Sequence, residues 1–419
     1  MLKHWIWLTQ RKGIGHVGCR RLLELFGTAE QIYALDQQQC LLTKGITQRW
    51  IATLLDKDLT DAERVVSDCD RLGIQIITYA DDAYPERLKQ IYDPPAVLYC
   101  KGIMPAIDQE ATVGIVGTRK CSNFGILHTK QLSSLIALSG GIVISGGARG
   151  IDTVALSSAL GSIMPVICVL AGGLDDYYPR ENKPLFDAIC KHGCLLSEFP
   201  PGEPTKKMYF IARNRLISGL SLATLVVEAP KGSGALRTAE FALSQNRDVY
   251  TVRRAEVNAY CTGNFELIDS GCETVNDGWE LLSAYASMFP DRLIDGRTRE
   301  AAKRLYMSRY GASCTVYSPV IETIPRFPSA PPAPRPIKIE KEAPEPIFST
   351  PSAMDDGDGL MELADFERKV LAVFGDEPLE TDVVIARCGF EPSSVITALT
   401  MLQLKKRIIK CFGNSYQRI

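Results

Sequence analysis

The chain has 419 residues, enough for roughly two to four domains. Hydrophobic residues make up 46% of it, an ordinary globular share, and a net charge of −2 excludes a chain-wide electrostatic nucleic-acid binder but leaves room for a local basic patch. No apolar run reaches the ~18 residues of a membrane span. The start Met1-Leu2-Lys3-His4-Trp5 lacks a signal-peptide pattern, and the thirteen cysteines form no C-x-x-C pair. The expectation is a reduced, cytoplasmic protein with free thiols and no metal. Cys190 and Cys194 flank His192, but with no second ligand pair nearby they read as turn and strand residues.

Residues 1–72 read as helical. Trp5 and Leu8 lead into Gly13-Ile14-Gly15, and Cys19, Leu22, Leu23 and Phe26 follow at helical spacing up to a stop at Gly27. The Gly-Ile-Gly turn resembles a SAM or helix-hairpin-helix module; it can hold a phosphate on backbone N–H groups or act as a structural cap. Ile74–Thr78 reads as a short strand. The stretch Tyr84 to Tyr99, with Pro94-Pro95 enforcing an extended chain, reads as a connector.

From residue 111 strand and helix patterns alternate. Candidate strands are Thr112–Val116, Ile142–Ile144, Val166–Leu170, Cys194–Ser197, Ala223–Glu228 and Asp248–Val252. Apolar runs bounded by glycine turns imply a parallel sheet covered by helices on both faces, with functional residues at the carboxyl ends of its strands. Gly117-Thr118-Arg119-Lys120, Ser145–Asp152, Gly172–Pro179, Ser197–Gly202 and Glu228–Ala235 all fall at such ends. The Ser145–Asp152 loop, with its three glycines before a helix start, has the pattern of a phosphate cradle; a tight turn needing glycine only for its dihedrals is the alternative. Arg119, Arg149, Lys206, Lys207, Arg213, Arg215 and Lys231 can approach one sheet edge, although Arg213 and Arg215 can equally pair with Glu198 or Glu228. Tyr177, Tyr178, Phe199, Tyr209 and Phe210 lie close by in sequence; an aromatic in this fold is more often core, which leaves one or two at most to stack bases.

Ten of the 24 prolines fall between Pro319 and Pro351, which marks a linker. Beyond it, three helical segments and a hairpin with a Gly413-Asn414 turn give a winged helix. Its third helix, Val395–Leu404, has no arginine or asparagine to read bases, which favours a protein-contact or regulatory role. The resulting division is a helical module at 1–72, the sheet domain at 73–290, a helical extension at 291–317, the linker at 318–359 and the winged helix at 360–419.

Taken together, the motifs resemble the DNA-processing protein A (DprA/Smf) family. The match runs through Val116-Gly117-Thr118-Arg119, Ser145-Gly146-x-Ala148-Arg149-Gly150-Ile151-Asp152 and Tyr178-Pro179-x-x-Asn182. It continues through Ser197-Glu198-x-Pro200-Pro201-Gly202, Arg213-Asn214-Arg215-Leu216-Ile217, Val227-Glu228-Ala229 and Ser233-Gly234-x-Leu236-x-Thr238-Ala239. The resemblance implies an extended Rossmann-like domain that binds single-stranded DNA, acts as a homodimer, protects incoming strands in natural transformation and loads the RecA recombinase. It implies no catalysis and no cofactor. It implies Arg119 and either Lys206 or Lys207 as DNA contacts; with the basic strand-end motifs and the glycine loop above, the expected set is Arg119, Ser145, Gly146, Gly147, Arg149, Lys206, Lys207, Arg213, Asn214, Arg215 and Lys231. The chain departs from the family where Val252-Arg253-Arg254 replaces a usual Val-Pro-Gly, Cys261 a serine and Leu156 a histidine. A nucleotide-binding sensor or hydrolase using Asp152 and Glu228 as acid–base groups is the alternative function. No G-x-x-x-x-G-K-[ST] loop supports hydrolysis of the P-loop kind. A scaffold that recruits partners through its terminal modules is a third reading.

Overall fold

Six helices open the chain: α1 (Leu2–Thr9), α2 (Gly15–Phe26), α3 (Ala29–Ala34), α4 (Gln37–Leu42), α5 (Gln48–Leu54) and α6 (Thr60–Leu72). Local chemistry sets their ends. Thr28 and Asp36 each form a capping box with the glutamine three residues on, and α2 stops at Gly27, whose φ of 83° suits a residue without Cβ. The computed structural model describes residues 1–297, except 163 and 255–256. It further describes 365–375, 379–388, 390, 395, 398–399, 402, 407–410 and 415–418. Contacts divide the chain into two units, Met1–Pro336 and Ile337–Ile419. The expected linker at 318–359 and residues 298–317 of the expected helical extension lie outside the described residues.

In the first unit the strands are β1 (Gln75–Thr78), β2 (Val97–Gly102), β3 (Thr112–Val116), β4 (Ile142–Ser145), β5 (Val166–Val169), β6 (Gly193–Ser197), β7 (Ala223–Val226), β8 (Asp248–Thr251) and β9 (Glu273–Thr274). They form one sheet in the order β1-β2-β6-β5-β4-β3-β7-β8-β9. Pairing is parallel from β6 through β9; β2 runs antiparallel to both β1 and β6. The connecting helices are α7 (Glu86–Lys89), α8 (Asn123–Leu138), α9 (Ile151–Leu160), α10 (Lys183–His192), α11 (Lys207–Gly219), α12 (Gly234–Ser244), α13 (Thr262–Asp269) and α14 (Gly278–Ser283). α8 packs on α9, and α11 on α12. The central strands β3, β4, β5 and β7 are buried at every position, which is why they read as unbroken apolar runs and not as alternation.

One expectation changes here. The stretch read as a connector contains β2: Pro94-Pro95 ends where the buried run Ala96–Cys100 begins, and that run has strand length and strand composition. The strands also progress from β3 outward through β4, β5 and β6 and then return to β7 on the other side of β3. The reversal places a topological switch point at the carboxyl ends of β3 and β7.

The second unit contains α15 (Asp365–Leu371), β10 (Leu379–Glu380), α16 (Thr381–Cys388), β11 (Ile408–Lys410) and β12 (Ser415–Arg418). β10, β12 and β11 form an antiparallel sheet, with Ile408 opposite Arg418. Val370, Phe374, Val384, Val395, Leu399 and Leu402 share its core with Ile408. Val395, Ala398, Leu399 and Leu402 are buried at helical spacing, as expected of the third helix. The other positions of that segment, and the Gly413-Asn414 turn, lie outside the described residues.

Candidate nucleic-acid interface

A cleft of about 1010 Å³ opens at the switch point. Its near wall is the loop after β3, Gly117 to Lys120. Ala148 and Asp152 come from the β4–α9 connection, and Lys207, Phe210, Arg213 and Asn214 from α11. Ser233 and Gly234 come from the start of α12, and Tyr260 closes one end. The charged lining is four cations, Arg119, Lys120, Lys207 and Arg213, against the single carboxylate of Asp152. A near-neutral chain thus concentrates positive charge where ligands of this fold bind.

The cations differ in availability. Arg119 and Lys120 are exposed on the β3–α8 loop. The Arg119 guanidinium lies 4.8 Å from the centroid of the Phe210 ring, and Tyr178 meets the same ring edge-on at 5.6 Å. Lys207 is exposed, lines the cleft and has no ion-pair partner among the described residues. Lys206 faces elsewhere: its ammonium donates to Glu203 at 2.6 Å and to the Tyr209 hydroxyl at 3.0 Å, and these partners raise its pKa. The geometry therefore separates two lysines that sequence left as alternatives.

Arg213 is buried in the cleft floor. It donates to the Gly146 carbonyl at 2.6 Å, to the Val169 carbonyl and to Asn214 Oδ1 at 3.3 Å, so most of its donors are consumed inside the protein. Arg215 does not line the cleft. It makes a bidentate pair with Glu198, at 2.7 and 3.0 Å, and a second pair with Asp93 at 2.8 Å. His16 of α2 joins the same cluster, its Nε2 2.9 Å from Glu198 Oε2. Burial pushes the Glu198 carboxyl up, but Arg215 and His16 outweigh it and hold its pKa at about 2. The expectation that Arg215 joins the basic surface at the strand ends is corrected: although it follows Asn214 directly and lies about two turns past Lys207, it faces away from the cleft, and the burial that secures α11 removes it from solvent. Arg213 is corrected from a surface contact to a floor residue.

The Ser145–Asp152 loop is partly committed to the protein's own interior. Ser145, Gly146 and Gly147 are buried. The Ser145 hydroxyl donates to the Ile115 carbonyl at 2.6 Å, and the Gly147 carbonyl accepts from Asn182 at 3.0 Å. Two of the loop's amides serve the chain's own carboxylate. Ala148 N–H donates to Asp152 at 3.3 Å, and the Gly146 amide also bonds to that group. Burial pushes the Asp152 pKa up, opposed by Arg213, these amides and Arg119, and it settles at about 6. Glycine is needed at 150 for space: a Cβ there would collide with the Thr118 carbonyl and Arg119 backbone. Arg149 is exposed but pairs with Glu181, and Lys231 is exposed but pairs with Glu266 at 2.7 Å; neither side chain lines the cleft.

Of the expected set, Arg119, Lys207, Arg213 and Asn214 come together. Asn214 lines the wall and donates to the Gly234 carbonyl at 3.1 Å. Lys120, Ser233 and Tyr260 were missed as site residues; Lys120 and Ser233 lay inside quoted motifs, whereas nothing in the sequence around Tyr260 pointed to the cleft. Glu228, an acid–base candidate, is fully buried and lies outside the lining, bound to Ser122 and Arg254. Among the described residues no three His, Cys, Asp or Glu side chains form a metal-binding group.

Fold and cleft define a Rossmann-like protein with a basic, aromatic-rimmed cleft at the switch point of its sheet. The family described as DNA recombination-mediator protein A matches residues 75–286, and the DprA winged helix domain matches residues 357–414. The DNA processing protein DprA of Bacillus subtilis is 40% identical over 212 residues, 51% of this chain and 71% of that protein. The X-ray structure of DNA processing protein A from Streptococcus pneumoniae superposes with a TM-score of 0.60 at 29% identity, covering 68% of this chain and 98% of that one. A Helicobacter pylori DNA processing protein A structure, described for its single-stranded DNA binding mode, gives a TM-score of 0.47 at 28% identity, covering 51% of this chain and 97% of that one. The chain belongs to the DNA-processing protein A (DprA/Smf) family, and its C-terminal unit is that family's winged helix.

Proposed function

We propose that the switch-point cleft binds single-stranded DNA, and that the protein protects incoming strands and loads RecA onto them during natural transformation and recombination. The observation that carries the binding reading is the arrangement of Arg119, Lys120 and Lys207 around the Phe210 and Tyr178 rings. Cations without internal partners attract phosphates, and accessible aromatic faces take unstacked bases that a duplex keeps within its own stack. Family membership supports RecA as partner, a homodimer and a cytoplasmic location as parts of this reading. No described helix is long and apolar enough to cross a membrane.

The reading is of binding and not catalysis, and it is supported by the engagement of the cleft's carboxylate with its own loop and of Glu228 with Ser122 and Arg254. The test is fluorescence anisotropy with a labelled single-stranded oligonucleotide at two salt concentrations, with duplex and a mononucleotide as competitors. Salt-sensitive single-strand binding that Arg119→Ala loses is the expected result. Binding of the mononucleotide in its place would return the cleft to the nucleotide-sensor reading.

A further inference from the structure

After β8 this chain carries Arg253-Arg254, and the second arginine is half-buried against the carboxylate of Glu228. Glu228 has no exposed surface. Its Oε1 accepts from Arg254 at 2.7 Å and from the Ser122 hydroxyl at 2.6 Å; its Oε2 accepts from the Ser122 amide at 2.7 Å. The Glu228 backbone carbonyl accepts from Thr118 N–H at 2.7 Å. One residue therefore clips both ends of the segment 118–122, and Arg119 and Lys120 form the span between the clips. Arg254 adds a bond to the Ser122 hydroxyl at 3.1 Å, and its guanidinium lies 4.2 Å from the centroid of Phe124, in the first turn of α8. Gly125 leaves room for this arrangement, since a Cβ there would strike the Glu228 carboxylate.

We propose that Arg254 is a positioning residue for the DNA cleft: by holding the buried Glu228 carboxylate it fixes the loop that presents Arg119 and Lys120. The inference rests on the reading of the cleft as a DNA site. A fully buried carboxylate stripped of its cation draws in water or moves toward solvent, and either change releases the clip at Ser122. Arg254 is not among the cleft's lining residues, so its effect passes through Glu228.

The experiment measures single-strand affinity by anisotropy, using an oligo-dT probe, for wild type, Arg119→Ala, Arg254→Met, Arg254→Lys, Glu228→Gln and the double variant Arg254→Met/Glu228→Gln. Arg254→Met is expected to weaken binding about tenfold, and the double variant to return to within about threefold of wild type, because a neutral amide no longer needs the cation. Arg254→Lys, which keeps the charge, retains most of the affinity. If Arg254→Met binds as wild type does, or if Glu228→Gln fails to restore it, the positioning role is wrong; the second result would make Arg254 a direct DNA contact or a packing residue. Should Arg254→Met not fold, the double variant decides: near-wild-type binding supports the role and a tenfold loss overturns it. Arg119→Ala separates the two levels. If it loses binding while Arg254→Met does not, only the positioning role fails; if it binds normally, the reading of the cleft fails and takes this inference with it.

Discussion

The guanidinium of Arg119 lies over the ring of Phe210, 4.8 Å from its centroid, so the cleft's most prominent cation and its central aromatic belong to one stacked unit. A base entering between Phe210 and Tyr178 replaces weak edge contact by a face. Stacking of this kind is worth about 1–3 kcal/mol per base. Phe210→Ala is therefore expected to weaken single-strand binding by that amount while leaving weak duplex binding almost unchanged. Competition anisotropy measures both, and an equal loss for single strand and duplex would show that the ring has no stacking role.

Phosphate contacts are read from salt dependence. Each cation that neutralises a phosphate adds about 0.7 to the slope of log K against log salt for a single strand. Arg119→Ala, Lys120→Ala and Lys207→Ala should each lower the slope by about that much, uniformly across sequences. Lys206→Ala should leave it unchanged, because its ammonium is already tied to Glu203 and Tyr209. Titrations at four salt concentrations distinguish the neighbouring lysines; a fall in slope for Lys206→Ala would reverse the assignment.

Asp152 gives the cleft a pH dependence. Its pKa of about 6 lies above the ordinary 3.8 because burial disfavours the charged form. The charge of the folded protein at this position therefore appears as pH rises through about 6, next to the phosphates of a bound strand. Affinity should fall over that window, and Asp152→Asn should flatten the profile. Stability follows the same sign: the contribution of the protonated carboxyl is complete below 3.8 and is lost as pH rises to about 6. Equilibrium unfolding of both proteins between pH 4 and 7 measures this, and parallel curves would refute the shift.

Glu198 works in the opposite direction. Its pKa is held at about 2, below the ordinary 4.5, so its contribution to stability is present above 4.5 and lost as pH falls toward 2. Removing its main partner leaves a buried charge: Arg215→Ala should destabilise the protein by about 3–5 kcal/mol. Urea unfolding at pH 7 is the measurement. Lys207→Ala, measured alongside, should stay within about 0.5 kcal/mol of wild type.

What the sequence made legible was the backbone plan. Unbroken apolar runs such as Val113–Val116 and Ile142–Ile144 have only one way to be buried on both faces, and the glycine turns after them mark strand ends. Facing was less legible. Arg213 and Arg215 look as available as Arg119 in one dimension, but α11 turns the first into the floor and the second toward Glu198 and Asp93. The glycine loop before α9 has a phosphate-cradle composition, yet Asp152, four residues past Ala148, takes two of its amides from within. The role of Arg254 was not legible because its partner, Glu228, lies 26 residues away. β2 was hidden by the proline step before it.

The reversed strand β2 ties the helical N-terminus to the cleft domain more firmly than a linker would. It pairs with β1 on one side and with β6 on the other, and α1 packs on both β1 and β2. Trp5, Ile6 and Trp7 consequently share one continuous core with Leu98, Val143 and Leu225. The first hundred residues and the cleft should therefore melt in a single cooperative transition. A truncation that begins after residue 74 would not release an independent binding domain: it would strip α1 from β1 and β2 and leave Leu98 and its neighbours without the cover of Trp5, Ile6 and Trp7. Any dissection of this protein has to treat the helical start as part of the sheet's folding unit.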